Sequence, residues 1–321
     1  VKRVSSYVAL ALYAAIILAA WAEVRTHPAF GFGLGGHLRY AFASFAWLLA
    51  PLWFFGFRLG DWLRASLRPA PRILLPALLG CPYLFFAGAR GDFRWTVTAL
   101  LFALPVALAA LLEYSHLPPR LAWPDVAVLV TLAATVLLKL LAPAWPYPGL
   151  AALPKLFVAD LALYLYMVVR RLEGMGYSLI PSLQAVRLGL RELVFFLPFV
   201  LVIGFATHFI HFHRQLSEPT HAAGILAATF LLVAIPEEMF FRCILQNLLQ
   251  TRFAPRTALL VTSLLFGLAH FNKGAVFNWR YVLLATIAGV FYGRAWRAKR
   301  QLLASVTTHT AVDVIWALWF R

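Results

Sequence analysis

The chain has 321 residues, 63% hydrophobic and only 12% charged, with a mean hydropathy of +0.81. A soluble domain carries about twice that charged fraction; long, non-alternating apolar windows recur along the chain, which excludes a soluble globule and a β-barrel and predicts an all-α polytopic transmembrane bundle. The net charge of +16 does not point to nucleic acid, because short basic loops between spans give the same balance and no RNA-binding signature accompanies it.

In chain order, the apolar windows predict eleven spans, near 4–22, 38–57, 73–89, 95–112, 125–142, 152–169, 192–212, 222–250, 256–272, 279–297 and 302–319. The first has the flanks of a signal peptide: Lys2 and Arg3 before it, AWA before Glu23. Its apolar stretch is long for that role and reads as an uncleaved anchor. GFGLGG at 31–36 lacks the strand and helix of a nucleotide loop and reads as an outer connection. The third helix is short and carries Pro76 and Pro82. With the N-terminus inside, the inner segments hold seventeen Lys and Arg and the outer ones ten, Arg214 and Arg321 among the latter. That bias predicts N-in. The Ala, Leu and Arg bias reads as prokaryotic, hence a bacterial inner membrane.

GYSLIPSLQAVRLGLRELVFF, from 176, differs in character. Leu179, Leu183, Val186 and Leu190 recur at helical spacing with Arg187 and Arg191 on another face. This predicts an interfacial amphipathic helix leading into the next span. It divides the chain into an N-terminal helical region, 1–175, of unknown role, and a C-terminal unit, 176–321. Cys81 and Cys243 lie in apolar runs and read as packing residues. His208, His211 and His213, with Glu218 and His221, fit no established zinc spacing and read as a segment leaving the bilayer. Gly289 and Gly293 form GxxxG, a close-packing signal.

The stretch IPEEMFFRCILQ, 235–246, places Glu237, Glu238 and Arg242 inside an apolar run. Each charge at a bilayer centre costs roughly 2.5–3.5 kcal/mol on insertion scales. Glu238 and Arg242 are i,i+4 and can pair along one face. Glu237 lies about 100° round the helix from Glu238 and is left without a local partner. Pro236, just before it, removes one helical hydrogen bond and predicts a kink or opening. Two later helices carry Phe266 and His270, and His309 and Asp313, each pair i,i+4 and at comparable depth. A lone membrane histidine is often a packing hydrogen bond, and Phe266 alone would be ordinary core; three such sites on three helices are much harder to explain as packing.

EExxxR (Glu237, Glu238, Arg242), FxxxH (Phe266, His270) and HxxxD (His309, Asp313), in that order, resemble the CAAX protease and bacteriocin-processing family of intramembrane endopeptidases. That family includes type II CAAX prenyl proteases and lysostaphin-resistance-type proteins. The resemblance covers about 235–313 and leaves the first 175 residues untouched. It implies an endopeptidase acting on a membrane-anchored protein or peptide at the lipid bilayer. Glu237 would be the general base and His270 would hold or help activate the water. His309 would donate to the oxyanion, and Glu238, Arg242 and Phe266 would be supporting residues. The family's usual last residue is Asn, so Asp313 is a departure: protonated it donates, ionised it orients His309 or helps hold a metal. The resemblance leaves the cofactor open between Zn²⁺, held by Glu237, His270, His309 and Asp313, and none. Without HExxH, the glutamate-base version is favoured. The competing readings are a transporter or proton relay, whose expected internal repeats are not visible, and a non-catalytic scaffold.

Overall fold

The computed structural model describes residues 2–26, 34–213, 218–271, 273 and 277–320. Part of the GFGLGG stretch (31–33), Arg214 and Arg321 lie outside the described residues. Among the described residues the chain is helical, with one isolated bridge, Phe212 to Phe320, in place of any strand. It forms two compact units, Val1–Glu173 and Gly174–Arg321.

The first unit contains α1 (Lys2–Thr26), α2 (Leu38–Phe55), the short α3 (Leu59–Ser66), α4 (Pro69–Arg90), α5 (Trp95–Tyr114), α6 (Trp123–Leu137) and α7 (Ala152–Tyr164, continued by a π turn to Val169). In α4 a 3₁₀ stretch, Leu75–Gly80, interrupts the helix between Pro71 and Pro82, because three prolines remove donors from successive turns. Buried polar pairs hold this unit. Arg72 donates to both oxygens of Glu113 at 2.7 and 3.0 Å. Arg170 meets Asp125 at 2.8 Å, and the buried Asp160 accepts from Leu52 N at 3.1 Å.

The second unit contains α8 (Leu183–Ala206), α9 (Pro219–Gln250), α10 (Pro255–Leu268), α11 (Trp279–Lys299) and α12 (Leu302–Trp319). Among the described residues, eight helices are long and apolar enough to cross a membrane, and α6 and α10 are shorter apolar helices. The expected count of eleven spans is therefore larger than length and composition support.

The expected interfacial helix is not a separate element. Residues 174–182 are non-helical, with Gly174 and Gly176 at φ +69° and +65°. Only glycine fits at 176, where a Cβ would collide with the Arg300 carbonyl. Pro181 disfavours helix at Ile180. Ser182 then caps α8, its hydroxyl accepting from Ala185 N at 3.2 Å, and the helix runs unbroken to Ala206. Its leucine stripe turns outward: Leu183, Val186 and Leu190 are exposed, while Ala185, Gly189 and Glu192 are buried. In lipid the small residues, not the large apolar ones, mark the helix–helix face.

Glycines set the spacing of this bundle. A Cβ at Gly189 would stand 2.5 Å from the Ala304 carbonyl of α12, and Thr308 of α12 donates to the Gly189 carbonyl at 2.9 Å. Gly289 meets Ser263 of α10, where a Cβ would lie 3.0 Å from its Cα. The Gly293 carbonyl accepts from Gln246 of α9 at 3.3 Å. Gly189→Ala is expected to lower unfolding stability by about 1–3 kcal/mol, as overpacking does. Gly224→Ala on α9, where nothing stands within 4 Å, is expected to leave it unchanged or slightly raised. Thermal unfolding of both variants in one detergent checks the contrast.

Candidate active site

Helix α9 is irregular where the charges sit. Two π-helical stretches, Thr229–Ala234 and Met239–Gln246, flank the single α turn Ile235–Glu238. Pro236 has no N–H to give to the preceding turn, and the ladder widens on both sides of it. The expected disturbance at Pro236 takes this form. It presents Glu237 and Glu238 in different surroundings.

Glu238 is fully buried and engaged at both oxygens. One accepts from Arg242 Nε at 2.9 Å, the other from His309 Nδ1 at 2.9 Å. Since a carboxylate can only accept, the Nδ1 of His309 carries the proton and Nε2 faces away. The Nη atoms of Arg242 have no hydrogen-bond partner among the described residues. Instead its guanidinium lies over the Phe266 ring, 4.9 Å from the centroid. The imidazole of His309 is stacked on Tyr292 at 4.7 Å and 17°, with Phe266 edge-on at 5.8 Å. Phe266 thus touches each partner of the Glu238 cluster, which explains why an aromatic residue stands there.

Glu237 is different. Its Oε2 is shielded from solvent and has no hydrogen-bond partner among the described residues, yet it lies 4.0 Å from His309 Nε2. Asp313 Oδ2 is 3.5 Å from the same nitrogen. His270 on the turn after α10 donates Nδ1–H to the Phe266 carbonyl at 2.8 Å, which leaves its Nε2 as an acceptor. Glu237, His270, His309 and Asp313 all line one cleft, whose other walls are mostly apolar, from Phe196 and Val200 of α8 to Ala285 of α11 and Trp316 of α12.

The structure therefore brings all seven singled-out residues together: Glu237, Phe266, His270, His309 and Asp313 at the cleft, Glu238 and Arg242 behind them. Sequence reading missed three more residues. Lys273, Tyr281 and Tyr292 also line the cleft. Lys273 belongs to none of the three motifs, although it stands one turn after His270. Burial opposes its charge, but Glu237, Tyr281 and Asp313 together hold its ammonium above the ordinary value. No spacing signal marks the tyrosines, which sit among ordinary neighbours in α11.

Among the described residues no three His, Cys, Asp or Glu side chains converge as a metal-binding group, and this holds for the segment from His208 to His221 as well. His309 has its Nδ1 committed to Glu238, and its Nε2 faces two carboxylates, Asp313 Oδ2 at 3.5 Å and Glu237 Oε2 at 4.0 Å. Cys81 is partly buried, Cys243 fully buried, and both are free thiols.

Residues 219–315 match the family model described as type II CAAX prenyl endopeptidase Rce1-like. The match supports the CAAX protease family for this region and a peptidase as its activity class; it lends nothing to a transporter. No curated protein and no solved structure matches the chain.

Proposed function

We propose that the C-terminal unit is an intramembrane endopeptidase that cleaves a membrane-anchored protein or peptide with a water activated by Glu237. The observation that carries this reading is the contrast between two adjacent carboxylates. Glu238 is saturated by Arg242 and His309, while Glu237, aimed into the cleft beside His309, has an oxygen with no partner. The Glu237 side chain is 28% exposed, but its shielded Oε2 is unsatisfied, which is costly, and a water held between Glu237 and His270 Nε2 would relieve it.

The chemistry then follows from protein groups and water. Glu237 takes a proton from the water as its oxygen attacks the scissile carbonyl carbon. The oxyanion that forms is met by the proton shared between His309 Nε2 and Asp313. The C–N bond breaks as the proton on Glu237 passes to the leaving amine. Glu238 acts on this through His309: holding Nδ1–H, it fixes which nitrogen faces the reaction. The basic-residue bias supports an N-in topology, and the Ala, Leu and Arg composition supports a bacterial inner membrane.

The test is a comparison of peptides released in membranes by the wild type and by Glu237→Gln. A product mass present with the first and absent with the second identifies substrate and bond together; identical profiles count against the peptidase.

Asp313 offers a separate check. An ionised carboxylate beside an oxyanion would repel it, so turnover is expected from the form that carries the proton. Asp313→Asn supplies a permanent donor, and its activity is expected to hold or rise, most at higher pH. Elemental analysis beside the pH–rate curves reads out any metal. Zinc bound by the wild type and lost together with activity in Asp313→Asn would show the residue to be a ligand instead.

A further inference from the structure

We infer that Lys273, together with Tyr281, is the specificity determinant of the cleft and recognises a carboxylate on the substrate close to the bond that is cut. This inference rests on the peptidase reading for what is cut, and on the cleft alone for what is bound. Among the described residues, Lys273 is the one lysine or arginine that lines the cleft. Its Nζ donates to the Tyr281 hydroxyl at 3.3 Å and lies 5.2 Å from the centre of that ring. An ammonium has three protons to give, and it makes no ion pair within 4 Å among the described residues. Tyr281 is itself placed: its ring packs on His270 at 5.1 Å and edge-on to Trp316 at 5.3 Å, and its backbone N–H is capped by Asn278. Lys273 is thus tied through one aromatic ring to the residue proposed to hold the water.

The rest of the lining decides what kind of molecule this cation serves. Phe209, Leu284, Val312 and Trp316 give the cleft apolar walls, suited to a lipid-like or strongly apolar chain. Lys273 stands at the exposed side of this cleft, with its ammonium in reach of a ligand there. Glu237 and Asp313 face Lys273 through space, and the reaction requires both of them, so neither is free to close on it as a permanent partner. A ligand carboxylate would accept the remaining ammonium protons and the Tyr281 hydroxyl proton. That chemistry has two sources, the free C-terminus of the substrate or an acidic side chain beside the scissile bond.

Binding separates them. The full chain in nanodiscs, with Glu237→Gln to prevent turnover, is titrated with three N-dodecanoyl tripeptides, and Trp fluorescence reports occupancy. One ends in a free carboxylate, one in an amide, and one ends in an amide but carries a glutamate side chain. A carboxylate ligand is expected to bind about tenfold or more tightly than the neutral amide, the usual worth of a charge-assisted hydrogen bond. Which of the two carboxylate ligands gains names the source. Lys273→Met is expected to abolish that preference without changing amide binding, and Lys273→Arg to keep most of it. Equal affinity for all three ligands in the Lys273 protein overturns the inference, and does so even if Lys273→Met fails to fold. A loss in Lys273→Met that is equal for carboxylate and amide ligands also overturns it, since that is what a structural role gives. Carboxylate-selective binding in a protein that releases no peptide would leave the site standing and remove the peptidase; cleavage indifferent to the carboxylate would do the reverse.

Discussion

Glu237→Gln and His270→Ala are each expected to reduce peptide release by at least about 100-fold, the usual contribution of a positioned base or water-holding group, while insertion and folding persist. The expectation follows from what each side chain does in the resting protein. Glu237 has an oxygen with no hydrogen-bond partner, so replacing the carboxylate with an isosteric amide removes no internal bond. His270 gives up one bond, to the Phe266 carbonyl at 2.8 Å, which lies at a helix end where water can replace the donor. Mass spectrometry of released peptides, beside a thermal melt of each variant, separates chemistry from folding. Near-normal turnover in a folded Glu237→Gln protein would sink the assignment of the base.

Glu238→Gln is expected to act in the opposite way, chiefly on stability. Its Oε2 balances a guanidinium that is fully buried, whose Nη atoms meet only aromatic faces among the described residues, while its Oε1 holds His309. Breaking a buried pair by removing one charge costs about 3–5 kcal/mol, because the surviving charge is left uncompensated. The double variant Glu238→Gln with Arg242→Leu removes that charge too, and is expected to recover part of the loss. Activity is expected to stay low in both, since His309 loses its anionic acceptor at Nδ1. Unfolding in a fixed detergent measures the first effect. A double variant no more stable than the single one would mean that the ion pair does not carry the cluster.

The two predictions divide one EE pair into a reactive member and a supporting one, and the sequence contains the reason. Residues four apart share a helix face and adjacent ones do not, so Glu238 pairs with Arg242 and Glu237 cannot. Hydropathy alone made the chain helical and membrane-embedded, because the bilayer admits a short list of backbone solutions. The same cost of charge in lipid marks Glu237, Glu238 and Arg242, with the polar pairs at His270 and His309–Asp313, and the resemblance of the three motifs assigns their roles.

Tertiary structure decided what local spacing does not encode. It decided that the apolar stripe of α8 faces outward and that Gly189 carries the contact with α12, since lipid leaves close packing, not hydrophobic burial, to select helix faces. The pairing of His309 with Glu238, 71 positions apart, also came only with the fold, and it sets which imidazole nitrogen faces the cleft. Lys273 and Tyr281 were invisible for the same reason. A loop lysine and a helix tyrosine have ordinary sequence neighbours, and only the approach of the α10–α11 turn to α9 and α12 puts them beside Glu237 and Asp313.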